Sequence, residues 1–188
     1  MSWTRSVAPD AAAGPLAEAY ARVRARSGRV NAAWQSLGED PKGLAALFDL
    51  VRTLTDDPAP LSKAQAEMIA IVVSATNGCG YMVAHHGPRL AAALGDEALA
   101  RAVALDYREA NIAARDRVLL DAAVALTCEP GERTEADVER VREYGFDDAA
   151  IVKATEIAAL YNLIDRIISG LGVTLDADVP PWEFGSQR

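Results

Sequence analysis

The chain has 188 residues and a formal net charge of −8, long enough for one domain of ordinary size with a sizeable core. Half of its residues are apolar but only 6% are aromatic; Ala, Leu, Val and Ile dominate, which favours closely packed helices because Ala loses no side-chain entropy in a helix. The acidic balance argues against nucleic acid, whose phosphates call for clustered Lys and Arg, and against an anionic membrane surface.

The stretch Met1 to Tyr20 carries two Pro, an Asp and a Glu and no continuous apolar run of the kind a signal peptide needs. The most apolar run, Met68 to Ala75, is too short to span a membrane. The expectation is a cytoplasmic protein without a membrane partner, with Cys79 and Cys128 as reduced thiols rather than a disulfide.

Breakers divide the chain into helix-length pieces. Pro15 suits a first helical position for a helix to about Arg26. Asn31 caps a short helix through Leu37, and Asp40 with Pro41 opens one reaching about Thr55. Thr55 to Pro60 is a loop. Ser62 and Gln65 form a capping box for a helix to about Thr76. Asn77 and Gly78 break it, and a second helix starts near Cys79 and runs to Leu94, with Pro88 as a candidate kink and Gly95 as the stop. A short helix follows from about Glu97 to Leu105. Asn111 to Thr127 is one long periodic stretch ended by Pro130 and Gly131. Thr134 with Asp137 caps the next helix, which Gly145 ends. Asp147 or Asp148 opens the last long helix, through Ser169. The tail, residues 176–188, with Trp182 and Phe184, is expected to lie extended on the surface or on a partner subunit. No stretch has a convincing period of two, so the pattern predicts an all-α, multi-helix bundle forming a single domain over residues 1–188.

Candidate chemistry concentrates between Glu67 and His86. Glu67 stands at the head of a very apolar helix. Pointing inward, it would be poorly solvated, its pKa would rise, and it would suit general acid or base work. The plainer alternative, which composition favours, is a first-turn Glu facing water and complementing the helix dipole. Cys79 sits at an expected helix start, where unsatisfied N–H groups favour thiolate; equally, it is a small residue buried at a helix junction. His85 and His86 are the only histidines. Cys79, Met82 and His86 fall on one helical stripe, with His85 rotated by roughly 100°. His86 reads either as a proton-transfer group near the thiol or as a core-edge ring satisfied by a carbonyl. Adjacent histidines face different ways on a helix, so no metal set is expected, and neither a phosphate loop nor a dinucleotide fingerprint is present.

The segment Glu67 … Ser74-Ala-Thr-Asn77-Gly-Cys79-x-Tyr81-x-x-x-His85-His86 resembles the signature of the carboxymuconolactone decarboxylase / alkylhydroperoxidase-D superfamily, and most nearly its peroxidase-related branch. The similarity continues through Leu126-Thr-x-x-Pro130, Thr134-Glu-x-Asp137, Gly145-Phe and the run Tyr161-Asn162 to Gly172-Val, with the core motif over residues 62–94. The resemblance implies an all-helical alkylhydroperoxidase-D-like fold, a homo-oligomer (dimer, trimer or hexamer), no cofactor and no metal. It implies catalytic roles for Cys79, Glu67 and His86, supported by Tyr81, His85, Met82 and Asn77. The family's redox motif is a Cys-x-x-Cys pair, and Met82 occupies the second position; a thioether has no proton to lose and forms no disulfide.

Three functions follow. The first expectation is an antioxidant oxidoreductase of the peroxidase-related kind. Cys79 thiolate would reduce a small-molecule hydroperoxide and become a sulfenic acid, with an external thiol reductant regenerating it and Glu67 and His86 moving protons. Cys128 is a candidate resolving thiol. The second is a cofactor-free, decarboxylase-like acid/base enzyme acting on a small organic acid through Glu67 and His86. The third is a catalytically inactive member of the family.

Overall fold

The structure, a computed structural model, describes residues 2–187. Those residues are all-helical, with no strand among them: α1 (Gly14–Ser27), α2 (Ala32–Ser36), α3 (Pro41–Thr55), α4 (Lys63–Thr76), α5 (Gly80–Leu94), α6 (Glu97–Asp106), α7 (Ala114–Cys128), a 3₁₀ turn (Pro130–Glu132), α8 (Glu135–Glu143) and α9 (Asp148–Gly170).

The boundaries follow local chemistry. Asn31, Asp40, Asp96 and Asp147 each accept a backbone N–H at the start of a helix. Ser62 with Gln65, and Thr134 with Asp137, close reciprocal capping boxes. Gly95 ends α5 in the left-handed region, at φ 66°, a conformation cheap only for glycine. Pro88 lies inside α5 without dividing it. One boundary differs from expectation: α7 begins at Ala114, not Asn111. The Arg117 guanidinium donates to the carbonyls of Tyr107 and Ala110, both at 2.9 Å, which fixes the preceding residues in a turn.

α4 is buried on nearly every side from Ala66 to Thr76, as a helix apolar all round must be, and it packs against α5, α6, α7 and α9. These helices form the larger core. A second cluster, Leu16, Ala19, Tyr20, Val23, Val30, Leu44 and Phe48, unites α1 with α3. α3 also meets α9, so the two cores share a seam.

The C-terminal tail is extended, as expected, and straps across α5 and α6 of its own chain with two of its side chains buried. Trp182 is buried in the larger core, over Gly87, where a Cβ would come within 2.4 Å of its ring. Gln187 is fully buried and donates to the carbonyls of Ala104 and Leu105. Apolar Trp182 and the amide of Gln187 find apolar and hydrogen-bonding partners on α5 and α6, and that favours docking over solvation.

Candidate active site

Glu67 and His86 come together across the α4–α5 pair. Glu67 Oε2 lies 2.6 Å from His86 Nδ1, and both side chains are almost wholly buried. Glu67 therefore faces inward, against the water-facing reading that composition favoured, because the imidazole offers it a partner that water would otherwise supply. The direction of its pKa is corrected too. Burial pushes the carboxyl up, but His86 first, then Arg89 and Lys63, outweigh burial and hold it below the usual carboxylate range. The carboxylate is thus an ionised orienter that fixes a proton on His86 Nδ1 and leaves Nε2 as the free nitrogen. The His86 ring also meets Tyr161 edge-to-face at 4.9 Å.

Cys79 takes the N-cap position of α5, but its side chain caps nothing. It is 3% exposed, and burial, followed by the neighbouring Asp165 carboxylate, pushes its thiol up to about 12. Of the two readings of Cys79, the surroundings favour the buried residue at a helix junction, since desolvation and a like charge exceed a helix-end effect that is worth little more than about 1 kcal/mol. Asp165 on α9 is 1% exposed. It accepts from Ser74 Oγ at 3.0 Å and Asn77 Nδ2 at 2.9 Å and neighbours the Cys79 thiol. Burial raises its own pKa despite those bonds. Asn77 also donates to Asn162 Oδ1 at 3.1 Å, so it locks the α4–α5 break to α9. Cys128 is exposed at the end of α7, and both cysteines are free.

A pocket of about 140 Å³ opens on the seam between the two cores. Met82, His85, His86, Arg89 and Tyr81 line it from α5; Tyr161, Ile164, Ile167 and Ile168 from α9; Arg26, Arg29, Trp34, Leu47 and Val51 from the smaller core. A cavity of roughly 150 Å³ holds a molecule the size of benzene. The structure therefore brings His86, His85, Tyr81 and Met82 to the pocket but leaves Cys79 and Asn77 outside it, in the Asp165 cluster. Among the described residues the lining contains three Arg and no Asp or Glu, an inversion of the chain's net charge. Arg26 pairs with Asp56 at 2.6 Å and Arg29 with Asp178. Arg89 makes no ion pair among the described residues, although its charge reaches Glu67 and His85. No group of three or more His, Cys, Asp or Glu among those residues is placed to hold a metal ion.

His85, rotated from His86 as expected, stacks tilted on Tyr81 with ring centres 4.5 Å apart. Its Nε2 is 3.5 Å from Asp176 Oδ2. Asp176 accepts from Tyr81 Oη and from Ala32 N, both at 2.9 Å. Sequence reasoning missed Asp165, Asp176 and Arg89. Asp165 had a readable signal, since it falls four residues after Tyr161 and three before Ile168 on a buried apolar stripe. Asp176 had none, because only the docked strap brings it to α5.

A family model for the carboxymuconolactone decarboxylase family matches residues 41–106, the stretch that holds the Glu67–His86 pair. No functionally curated protein matches the chain. Two solved structures do so at comparable identity. The chain is 28% identical to an uncharacterized peroxidase-related protein with an alkylhydroperoxidase AhpD core from Ralstonia eutropha JMP134, covering 94% of this chain and 93% of that one at a TM-score of 0.85. It is 29% identical to an uncharacterized peroxidase-related protein from Silicibacter sp. TM1040, covering 94% and 96% at a TM-score of 0.80. The debrominase Bmp8, solved with 2,3,4-tribromopyrrole, shares the fold at 15% identity, with 92% and 90% covered and a TM-score of 0.77. Residues 41–106 thus match the carboxymuconolactone decarboxylase family, and over nearly the whole chain the helical architecture is similar to that of the peroxidase-related proteins with an alkylhydroperoxidase AhpD core.

Proposed function

We propose that this protein is a cofactor-free acid/base enzyme acting on a small organic acid, with Glu67 and His86 as its working pair. The observation that carries the reading is that the pocket is lined by His86, oriented by Glu67 at 2.6 Å, and by Met82, but not by Cys79. His86 Nε2 takes a proton from a carbon next to a carbonyl or carboxyl group, and the electron pair passes into the delocalised anion. Arg89 and the other cations of the lining stabilise the negative charge of the substrate. The apolar floor of Trp34, Ile164 and Ile168 suits a ring-sized body. A panel of small carboxylic acids and lactone acids, incubated with enzyme in D₂O and followed by proton NMR, tests this. Exchange, isomerisation or decarboxylation with deuterium uptake is expected in at least one, and is lost in Glu67→Gln and His86→Gln. An inert panel would overturn it.

A cysteine peroxidase, the first expectation from sequence, is the second reading, and the description of two relatives as peroxidase-related favours it. It requires Cys79 to leave the Asp165 cluster before it can meet a peroxide. Hydroperoxide consumption under excess dithiothreitol, lost in Cys79→Ser, would support it over the first.

A further inference from the structure

A second carboxylate–imidazole pair stands at the pocket, its imidazole in the lining and its carboxylate supplied from behind by the C-terminal strap. His85 lines the same pocket as His86. Its Nε2 is buried and has no hydrogen-bond partner, yet it stands only 3.5 Å from Asp176 Oδ2. A buried ring nitrogen left unpaired is costly unless it serves a purpose. Asp176 is itself held firmly: Tyr81 Oη donates to it at 2.9 Å, and so does Ala32 N. Tyr81 Oη in turn accepts from Ala33 N at 3.1 Å. The neighbouring Asp178 pairs with Arg29. A shift of a few tenths of an ångström in the His85 ring would complete the bond to Asp176.

We propose that His85, oriented by Asp176 of the strap, is the second proton-transfer group of the site, so that the enzyme moves a proton between two positions of its substrate rather than removing one alone. This rests on the acid/base reading of Glu67 and His86. In the working state His86 is neutral and His85 is protonated, its charged form supported against burial by Asp176 and by the carboxylate of the bound acid. His86 accepts the proton of a substrate C–H bond, whose electron pair enters the delocalised anion. His85 then gives its proton to another carbon of that anion, forming the new C–H bond. His86 leaves the cycle carrying the proton it took from the substrate and His85 leaves it neutral, and proton exchange with water resets the pair. The sum is an isomerisation, with no oxidant, reductant or leaving group. The charged and titratable groups facing His85 are Asp176, which favours its charged form, His86 and Arg89, which oppose it, and Tyr81, which stacks on its ring. His85 is a catalytic residue in this scheme and Asp176 a positioning residue.

The experiment follows any acid found to exchange in D₂O, for wild type, His86→Gln, His85→Gln and Asp176→Asn. The scheme expects His86→Gln to abolish exchange. It expects His85→Gln to abolish isomerisation, with exchange at the abstracted position surviving. It expects Asp176→Asn to lower kcat with little change in KM, and to move one limb of the pH profile to lower pH, a shift that mere loosening of the strap would not give. The two ring signals (there are only two histidines) report the same change by NMR, with His85 titrating at lower pH in Asp176→Asn. Isomerisation that survives His85→Gln, or an unmoved His85 signal, overturns the scheme while leaving the first pair intact. Failure of wild type to exchange any acid overturns the acid/base reading as well.

Discussion

The Asp165 carboxylate on α9 stands beside the buried Cys79 thiol at the N-cap of α5, and that proximity, together with burial, decides how the thiol behaves. With its pKa pushed up to about 12, Cys79 is ionised in roughly one molecule in ten thousand at about pH 8. Iodoacetamide followed by mass spectrometry should label exposed Cys128 quickly and Cys79 hardly at all. Asp165→Asn removes the like charge and should speed Cys79 labelling at least about tenfold. Equal labelling of both cysteines in the wild type would contradict this geometry.

Met82 lines the pocket one turn from Cys79. Met82→Cys therefore places a thiol where a peroxide can reach it, beside His86. The variant is expected to consume hydroperoxide under dithiothreitol where wild type does not, and to form a disulfide with Cys79 once oxidised. Persistent free thiols in the oxidised variant would show that Cys79 cannot leave Asp165.

Removing one partner of the Glu67–His86 pair strands the other. Glu67→Gln keeps the shape and an acceptor, so the expected loss is about 1–3 kcal/mol of unfolding free energy, read from urea midpoints. Proton exchange into substrate is expected to fall by about 100-fold or more.

His85 makes the fold sensitive to mild acid. Burial holds its pKa below the ordinary value, despite the opposing pull of Asp176. Between that lowered value and about 6.5 the unfolded chain binds more protons than the native one, so stability falls as pH drops below about 6.5 and levels off below the folded pKa. Glu67, also lowered, acts further down, where its stabilisation is lost as pH falls below about 4.5. Urea midpoints at about pH 7.5 and 5 should differ more for wild type than for His85→Gln.

Gly87 lets the strap close. A Cβ there would meet three atoms of the Trp182 ring at 2.4–2.8 Å. Gly87→Ala is expected to cost about 1–3 kcal/mol and to expose the strap to limited proteolysis, with Trp182 fluorescence shifting to the red.

Nearly all of the helical layout was legible, because caps and breakers act over three or four residues. Ser62 with Gln65 and Asp40 with Pro41 fix their helix starts locally, whatever surrounds them. The site was half legible. Spacing put Met82 and His86 on one stripe, and the family signature picked out Glu67, but neither could say which way Glu67 faces. Its orientation depends on the His86 ring arriving from another helix. The charge state of Cys79 stayed open for the same reason: the helix start is local, whereas Asp165 comes from 86 residues away. Asp176 and the docked strap lay wholly beyond local pattern, since nothing near Trp182 in sequence reveals the glycine it covers.

The pocket's position on the seam ties ligand occupancy to the cohesion of the molecule. Arg26, Trp34 and Val51 belong to the α1–α3 side, and His86 and Ile168 to the main bundle, so a bound ligand acts as mortar between two masses that otherwise meet chiefly through α3 and α9. Binding to the joined state alone raises the free energy of opening by RT ln(1 + [L]/Kd). Amide hydrogens of α1 and α3 should therefore gain protection on saturation well before those of α4, making slow exchange in the N-terminal helices a substrate-finding signal that requires no knowledge of the reaction.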